Sequence, residues 1–330
     1  MEMKNDRKLL QVSSILAVLF ILALSIFSCG GGSGGSGSED SISLANGWER
    51  EDGVRFTDPY AFNPDIVSLE EGGFRMYFEK EVSQGEHNIY SAFSEDGLIW
   101  TQEDGTRVAG ANMPAAVALP DGRVRIYYNW GGVVKSSISE DGLVFAAESG
   151  TRLSPDEDDE TGGIKHPDVI RLPDGTFRMY YDAVDSEEVY RIKTAVSDDG
   201  LSWTKQGIAI EPSMVMAVNS RIPTLDMTGT AGAVVDGSGA IRIFFATRGP
   251  NSSSRQKGIY MATSSDGTTF TVSYPPVIGE FSIGDDFYAP MDAEAVFTDE
   301  GLRLYYWIGT SEVLPESGIY SLFNPSITYD

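Results

Sequence analysis

The sequence predicts an all-β chain folded as a five-bladed β-propeller, each blade four antiparallel strands, with the ring closed by an N-terminal strand. Three observations predict it. A tetrapeptide of Arg, aliphatic, aromatic, aromatic recurs as RMYF (75–78), RIYY (125–128), RMYY (178–181), RIFF (242–245) and RLYY (303–306), at intervals of 50, 53, 64 and 61 residues. Val, Ile, Tyr and Phe gather in short segments, with no sustained 3.6-residue apolar period after residue 46, as strands require. The fifth copy lacks a last strand, and an unpaired segment near Trp48 can supply it. Self-similarity at this period marks a repeat architecture, in which each sheet buries its faces against its neighbours.

Each copy opens with a short apolar run and a turn, as in DIVSLEEGGF (65–74), AAVALPDGRV (115–124) and DVIRLPDGTF (168–177). Acidic and Gly residues between β-rich segments make a hairpin, so the first two strands of every blade are antiparallel. A third strand follows, as in NIYSAFS (88–94) and RIKTAVS (191–197). Four of the five third strands run into SEDGLIW (94–100), SEDGLVF (139–145), SDDGLSW (197–203) and SSDGTTF (264–270). This element resembles the Asp-box turn of sialidases: Ser and Asp bond the backbone, Gly takes φ > 0, and the aromatic plugs between sheets. Recurring at one place in the blade, it reads as structural, as do Arg75, Arg125, Arg178, Arg242 and Arg303. The segment NGWEREDGVRF (46–56) matches LIWTQEDGTRV (98–108) in its order of Trp, acidic-Asp-Gly and Arg, and so reads as the fourth strand of the last blade. Such a closure hides the edges that an open sheet must otherwise protect.

Ahead of the ring, Lys4, Arg7 and Lys8 precede an apolar run from Ile15 to Phe27, the form of a secretory signal peptide. The run ends at Ile26-Phe27-Ser28-Cys29, which resembles a bacterial lipobox, and Cys29 is the chain's only Cys, leaving none for a disulfide. The organisation expected is a signal peptide over 1–28, a lipidated Cys29 with a Gly/Ser-rich tether over 29–45, and the propeller over 46–330. Gly30 in place of Asp favours the outer membrane by the same resemblance. A closed ring satisfies its own edges, so a monomer is expected. The formal charge of −25 excludes nucleic acid as a partner. Its densest run, DEDDE (156–160), lacks the alternating spacing of a calcium loop and reads as a solvated surface loop. No zinc-spaced Cys/His set, phosphate-cradling Gly loop or Ser/His/Asp elbow is visible, so no metal or cofactor is expected.

In a propeller the first strand of each blade lines the axis. Those strands start at Asn63-Pro64-Asp65, Met113-Pro114-Ala115, His166-Pro167-Asp168, Thr230-Ala231-Gly232 and Asp292-Ala293-Glu294. Asp65, Asp168 and Glu294 should therefore converge at one mouth as candidate catalytic carboxylates, since glycosidic chemistry uses one protonated and one ionised acid. Tyr60, His166, Arg221, Tyr288 and Asp292 are the candidates for gripping a sugar. His87, in the polar SQGEHN loop, reads as exposed and inert.

The ring with NPDIV (63–67) and HPDVI (166–170) resembles glycoside hydrolase families 43, 62, 32 and 68 and the family 130 phosphorylases. The resemblance implies that Asp65 serves as base and Asp168 as acid, and that a second-blade Asp tunes the acid. Ala115 and Ala116 stand where that residue is expected. Two functions follow as expectations: a cell-envelope glycosidase-like enzyme, or a non-catalytic propeller binding a glycan or a protein at the same mouth. A scaffold using the outer faces is a third.

Overall fold

Five antiparallel blades, packed in sequence order around one axis, account for nearly all of the regular structure, the third and fourth joined by one parallel pairing of Tyr190 with Met227. The computed structural model describes residues 44–58, 60–250, 258–279, 290–308 and 317–330. The inner strands are Ala61–Ser68, Asn112–Ala118, Gly163–Arg171, Met227–Val235 and Met291–Thr298. Each packs against the inner strand of the next blade, and the fifth packs back against the first. Second and third strands follow outward in every blade, and the outermost strands of the first four are Thr101–Gln102, Ala146–Ala147, the longer Thr204–Ile210, and Thr271–Val272. The fifth is completed by Glu49–Arg50, pairing Glu49 with Phe323 and Arg50 with Leu322. The ring thus closes as the sequence predicts. A seven-residue helix, Pro212–Val218, lies in the long connection between the third and fourth blades.

The repeated motifs explain how neighbouring blades are held. In the first Asp turn, Asp96 Oδ1 accepts the N–H groups of Leu98 and Ile99, Ser94 Oγ accepts that of Gly97, and the Trp100 indole N–H is bonded to the Gly97 carbonyl. The outward face of that turn is gripped from the fifth blade: Arg303 donates to Asp96 O at 2.8 Å and Tyr305 OH to Gly97 O at 2.7 Å. Arg75 and Tyr77 grip the second turn, Arg125 and Tyr127 the third, and Arg178 and Tyr180 the fourth in the same way. The glycine is required twice over. At Gly142 φ is +71°, and a Cβ would lie 2.4 Å from Arg75 Nη1 and 2.7 Å from Tyr77 OH.

The fourth blade breaks the pattern. Its neighbour has no Asp turn, its repeat carries Phe244 in place of Tyr, and Arg242 turns to Asp236 of its own hairpin at 2.9 Å. What survives is the aromatic plug: Trp48 meets Phe244 edge-on at 5.6 Å, as Trp100, Phe145, Trp203 and Phe270 meet Tyr305, Tyr77, Tyr127 and Tyr180 at 5.7–5.9 Å. All five junctions share this contact, each worth about 0.5–1.5 kcal/mol beyond the buried area.

One expectation is corrected. The 156–160 acidic run is not simply solvated: Asp158–Glu160 form a 3₁₀ turn, and Glu160 is fully buried. The buried Lys193 meets Glu157, Asp159 and Glu160, while Lys205 meets Asp156 and Glu160. Two lysines distant in sequence offset part of the run's charge and cover its last residue, which its charge density did not reveal.

Candidate functional site

Every inner strand carries the same irregularity. The pairing with the second strand slips at Phe62/Asp65, Asn112/Ala115, Lys165/Asp168, Gly229/Gly232 and Met291/Glu294, a bulge in each blade. At each bulge one residue takes the left-handed region: Asn63 (φ 48°), Met113 (52°), His166 (43°), Thr230 (50°) and Asp292 (53°). Non-glycine residues there cost of order 1–3 kcal/mol each. Because the strain recurs in all five blades, it belongs to the architecture. Its effect is to turn two successive layers of side chains toward the axis.

The upper layer is Asn63, Met113, His166, Thr230 and Asp292, with acids from the second strands beneath it. Glu79 accepts from Asn63 Nδ2 at 2.7 Å and from the Met113 N–H at 2.9 Å. Asp182 lies 2.9 Å from His166 Nδ1 and accepts the Thr230 N–H at 3.2 Å. Asp292 accepts the Asn63 N–H at 3.3 Å, which links the last blade to the first. Glu79 and Asp182 each reach from one blade to the next. Gly229 makes room for this, since a Cβ there would sit 2.7 Å from Asp182 Oδ2. Burial works against an imidazolium at His166, yet Asp182, by hydrogen bond and charge, with Asp292 and Glu79 behind it, raises its pKa above the ordinary value. Burial also pushes the Asp292 carboxyl up to about 6 against the opposing charge of His166.

The lower layer holds Asp65, Asp168 and Glu294, with one carboxylate oxygen of each within 4.8 Å of those of the other two. All three are buried. Asp65 Oδ1 accepts the Ala116 N–H of the next blade at 2.9 Å, and Asp168 Oδ2 accepts that of Ala233 at 2.7 Å. Glu294 is drawn to the N–H groups of Ala295 and, across to the first blade, Ile66. Gly232 clears the space: a Cβ there would meet Glu294 Oε2 at 2.7 Å. Burial raises the Asp168 carboxyl to about 7, against its backbone N–H bonds. Burial, with the Asp168 charge added, also holds Asp65 well above the usual range, and burial with the charges of Asp65 and Asp168 does the same to Glu294. Three such groups can share protons or surround a cation; these are the chemical options of the cluster.

A cavity of about 30 Å³ separates the two layers, and a second of about 470 Å³ opens below the acids at the other end of the axis, lined by Val67, Val117, Ile170, Val235 and Tyr329 among others. The acids border both.

The structure thus brings Asp65, Asp168, Glu294, Asp292 and His166 to one axis, and confirms the alanine at the second-blade position: Ala115 is fully buried there. Tyr60 stands exposed just before the first inner strand. Arg221 is exposed on the connection after the helix and lines neither cavity, because the chain between Asn219 and Leu225 runs over the surface. Tyr288 and Cys29 lie outside the described residues. The reading of His87 as exposed and inert is corrected: it is partly buried, with Nδ1 2.6 Å from Glu79 Oε1. Glu79 and Asp182 escaped sequence reading. Their signal was available, since the residue after each repeated tetrapeptide varies as Glu, Asn, Asp, Ala and Trp while its predecessors recur.

The sequence matches no protein-family model and no curated protein. Solved structures do resemble it. A Bombyx mori family 32 β-fructofuranosidase aligns with TM-score 0.60 and 14% identity over 82% of this chain and 61% of that one. A mutant of that enzyme in complex with sucrose aligns at 0.59 and 16%, over 81% and 61%. A thermostable family 43 glycoside hydrolase aligns at 0.59 and 12%, over 83% and 97%. The chain spans about three fifths of the length of the Bombyx mori enzyme. The chain has the β-propeller fold of these glycoside hydrolases.

Proposed function

We propose that the mouth of the ring binds an oligosaccharide, making this a glycosidase-like, carbohydrate-binding propeller. One observation carries the reading: the fold dictates the backbone of the five axial bulges but not their side chains, and Asn63, His166 and Asp292 place donors and acceptors side by side there. Convergent polar groups in a concave opening suit a sugar's hydroxyls. The resemblance to sugar-processing propellers, one of them holding sucrose, supports the class.

Hydrolysis is the second reading, favoured by the clustered acids. Three crowded carboxyls cannot all ionise, so near neutral pH a protonated acid stands beside an ionised one, although the Asp168 charge helps keep Asp65 protonated, the reverse of Asp168 as acid and Asp65 as base. Against it, Asp65 and Asp168 are buried and each is tied to a backbone N–H group of the next blade. Binding therefore stands first.

Calorimetry with arabino-, xylo-, fructo- and manno-oligosaccharides tests it. Saturable binding weakened at least tenfold by Asp292→Asn and by His166→Ala, with no sugar released, is the expected result. Turnover abolished by Asp65→Asn would establish hydrolysis, and no binding to any series would overturn both readings. The proposal includes a monomer held at a bacterial envelope, with the outer membrane favoured, through lipid on Cys29; palmitate labelling lost in Cys29→Ser checks that anchor.

A further inference from the structure

Over the second blade the wall of the mouth is lower than over the first and third. In four blades the Arg of the second strand pairs far along the chain: Arg75 with Phe93, Arg178 with Val196, Arg242 with Thr263 and Arg303 with Phe323. In the second blade Arg125 pairs with Ile138, so that hairpin is at least five residues shorter than any other. It sits at the mouth end, because Asn129 pairs with Asn112 beside Met113 of the upper layer. At a rise of about 3.3 Å per residue, each arm of the hairpin is shorter by roughly 8 Å.

What the notch exposes is an indole. Trp130 ends the second strand and is 45% exposed, although the neighbouring Tyr128 is buried. Gly131 and Gly132 form the tip, and among the described residues a Cβ on either would meet nothing within 4 Å. From beneath, the indole is supported by Gly110, where a Cβ would lie 3.5 Å from Trp130 Cη2. The strand end is fixed by Asn129, which donates to Ile164 O of the third blade at 2.7 Å. A large flat ring, exposed on one side and backed by a rigid strand, gives contact area at little entropic cost.

We propose that the notch over the second blade is a second sugar subsite, in which Trp130 stacks against a residue of an extended oligosaccharide whose other end occupies the mouth. This rests on the carbohydrate reading above and adds the substrate class: a chain of several sugars that leaves the funnel across Met113, not a monosaccharide. Such a ligand needs an open side to the wall, and the second blade provides it.

The test compares each monosaccharide with its tetrasaccharide in the arabino, xylo, fructo and manno series, by calorimetry on the wild type, Trp130→Ala and Trp130→Phe. In the series that binds, the tetrasaccharide should bind the wild type more tightly, Trp130→Ala should remove tenfold or more of that advantage while leaving the monosaccharide unchanged, and Trp130→Phe should keep most of it. An advantage that survives Trp130→Ala, or no advantage in the wild type, overturns the subsite while the mouth reading stands. Failure of the wild type to bind any probe overturns the mouth reading and the subsite together.

Discussion

The turn carboxylates and the axial carboxylates are the same chemistry placed in opposite surroundings. Asp96, Asp141, Asp199 and Asp266 lie near solvent and accept two backbone N–H bonds each, which hold their pKa values below the ordinary range, Asp141 at about 2. Asp65, Asp168 and Glu294 are buried together on the axis, and burial with mutual repulsion moves them the other way. The first set recurs wherever a turn needs it and is part of the scaffold. The second occurs in three blades of five, at positions where the other two blades carry Ala115 and Gly232. An acid that the architecture does not require and that burial disfavours is the better pointer to function.

The sharpest way to break the contrast is at the turn glycine. Gly142→Ala should cost about 3 kcal/mol in urea unfolding, since it meets both a left-handed backbone and the Arg75–Tyr77 grip. Gly131→Ala, at φ +60° with nothing nearby, should cost about 1 kcal/mol. Equal losses would mean that the inter-blade grip carries no weight.

The pH dependence separates the two sets next. Asp168 ionises near pH 4 when unfolded and near 7 when folded, so the folded state holds the extra proton between those values and stability falls as pH rises through them. The turn carboxylates act oppositely: their contribution is present above about pH 4 and is lost as pH falls through about 2 at Asp141. Stability should therefore peak near pH 4–5, on the acid side of the usual range. Asp168→Asn keeps an acceptor for the Ala233 N–H and should stabilise the protein by roughly 2 kcal/mol at pH 8 while changing little at pH 4. Thermal unfolding across pH 3–9 measures both.

A smaller effect isolates one bond. Tyr77→Phe removes the donor to the Gly142 carbonyl and should cost about 1 kcal/mol. Phe244→Tyr should give no gain, because the neighbouring blade's sequence has no Asp turn to offer the accepting carbonyl.

Much of this was legible in the sequence for a definite reason. Arg75 and its four equivalents, the Asp turns and the Trp48 segment answer a demand that recurs around the ring, so each copy reinforces the others. Even Trp48, whose partner lies at the far end of the chain, was found because it copies Trp100. The axial residues were located by the same periodicity, as the one slot where copies disagree. What stayed hidden depends on contacts with no repeat behind them. Glu79 reaching Met113, and Lys193 and Lys205 closing over the acidic run, are pairings between separate strands and loops that no repeated pattern encodes. The low wall at Gly131 and Gly132 was in the spacing of the second repeat but acquires meaning only once its end of the ring is known.

The central claim is that ligand occupies the upper axial layer, and a crystal structure of the protein with its best-binding tetrasaccharide tests it most directly. The account predicts a sugar residue hydrogen-bonded to His166 and Asp292, above the Asp65, Asp168 and Glu294 cluster. A sugar bound on the outer strands, with the mouth left to solvent, would contradict it.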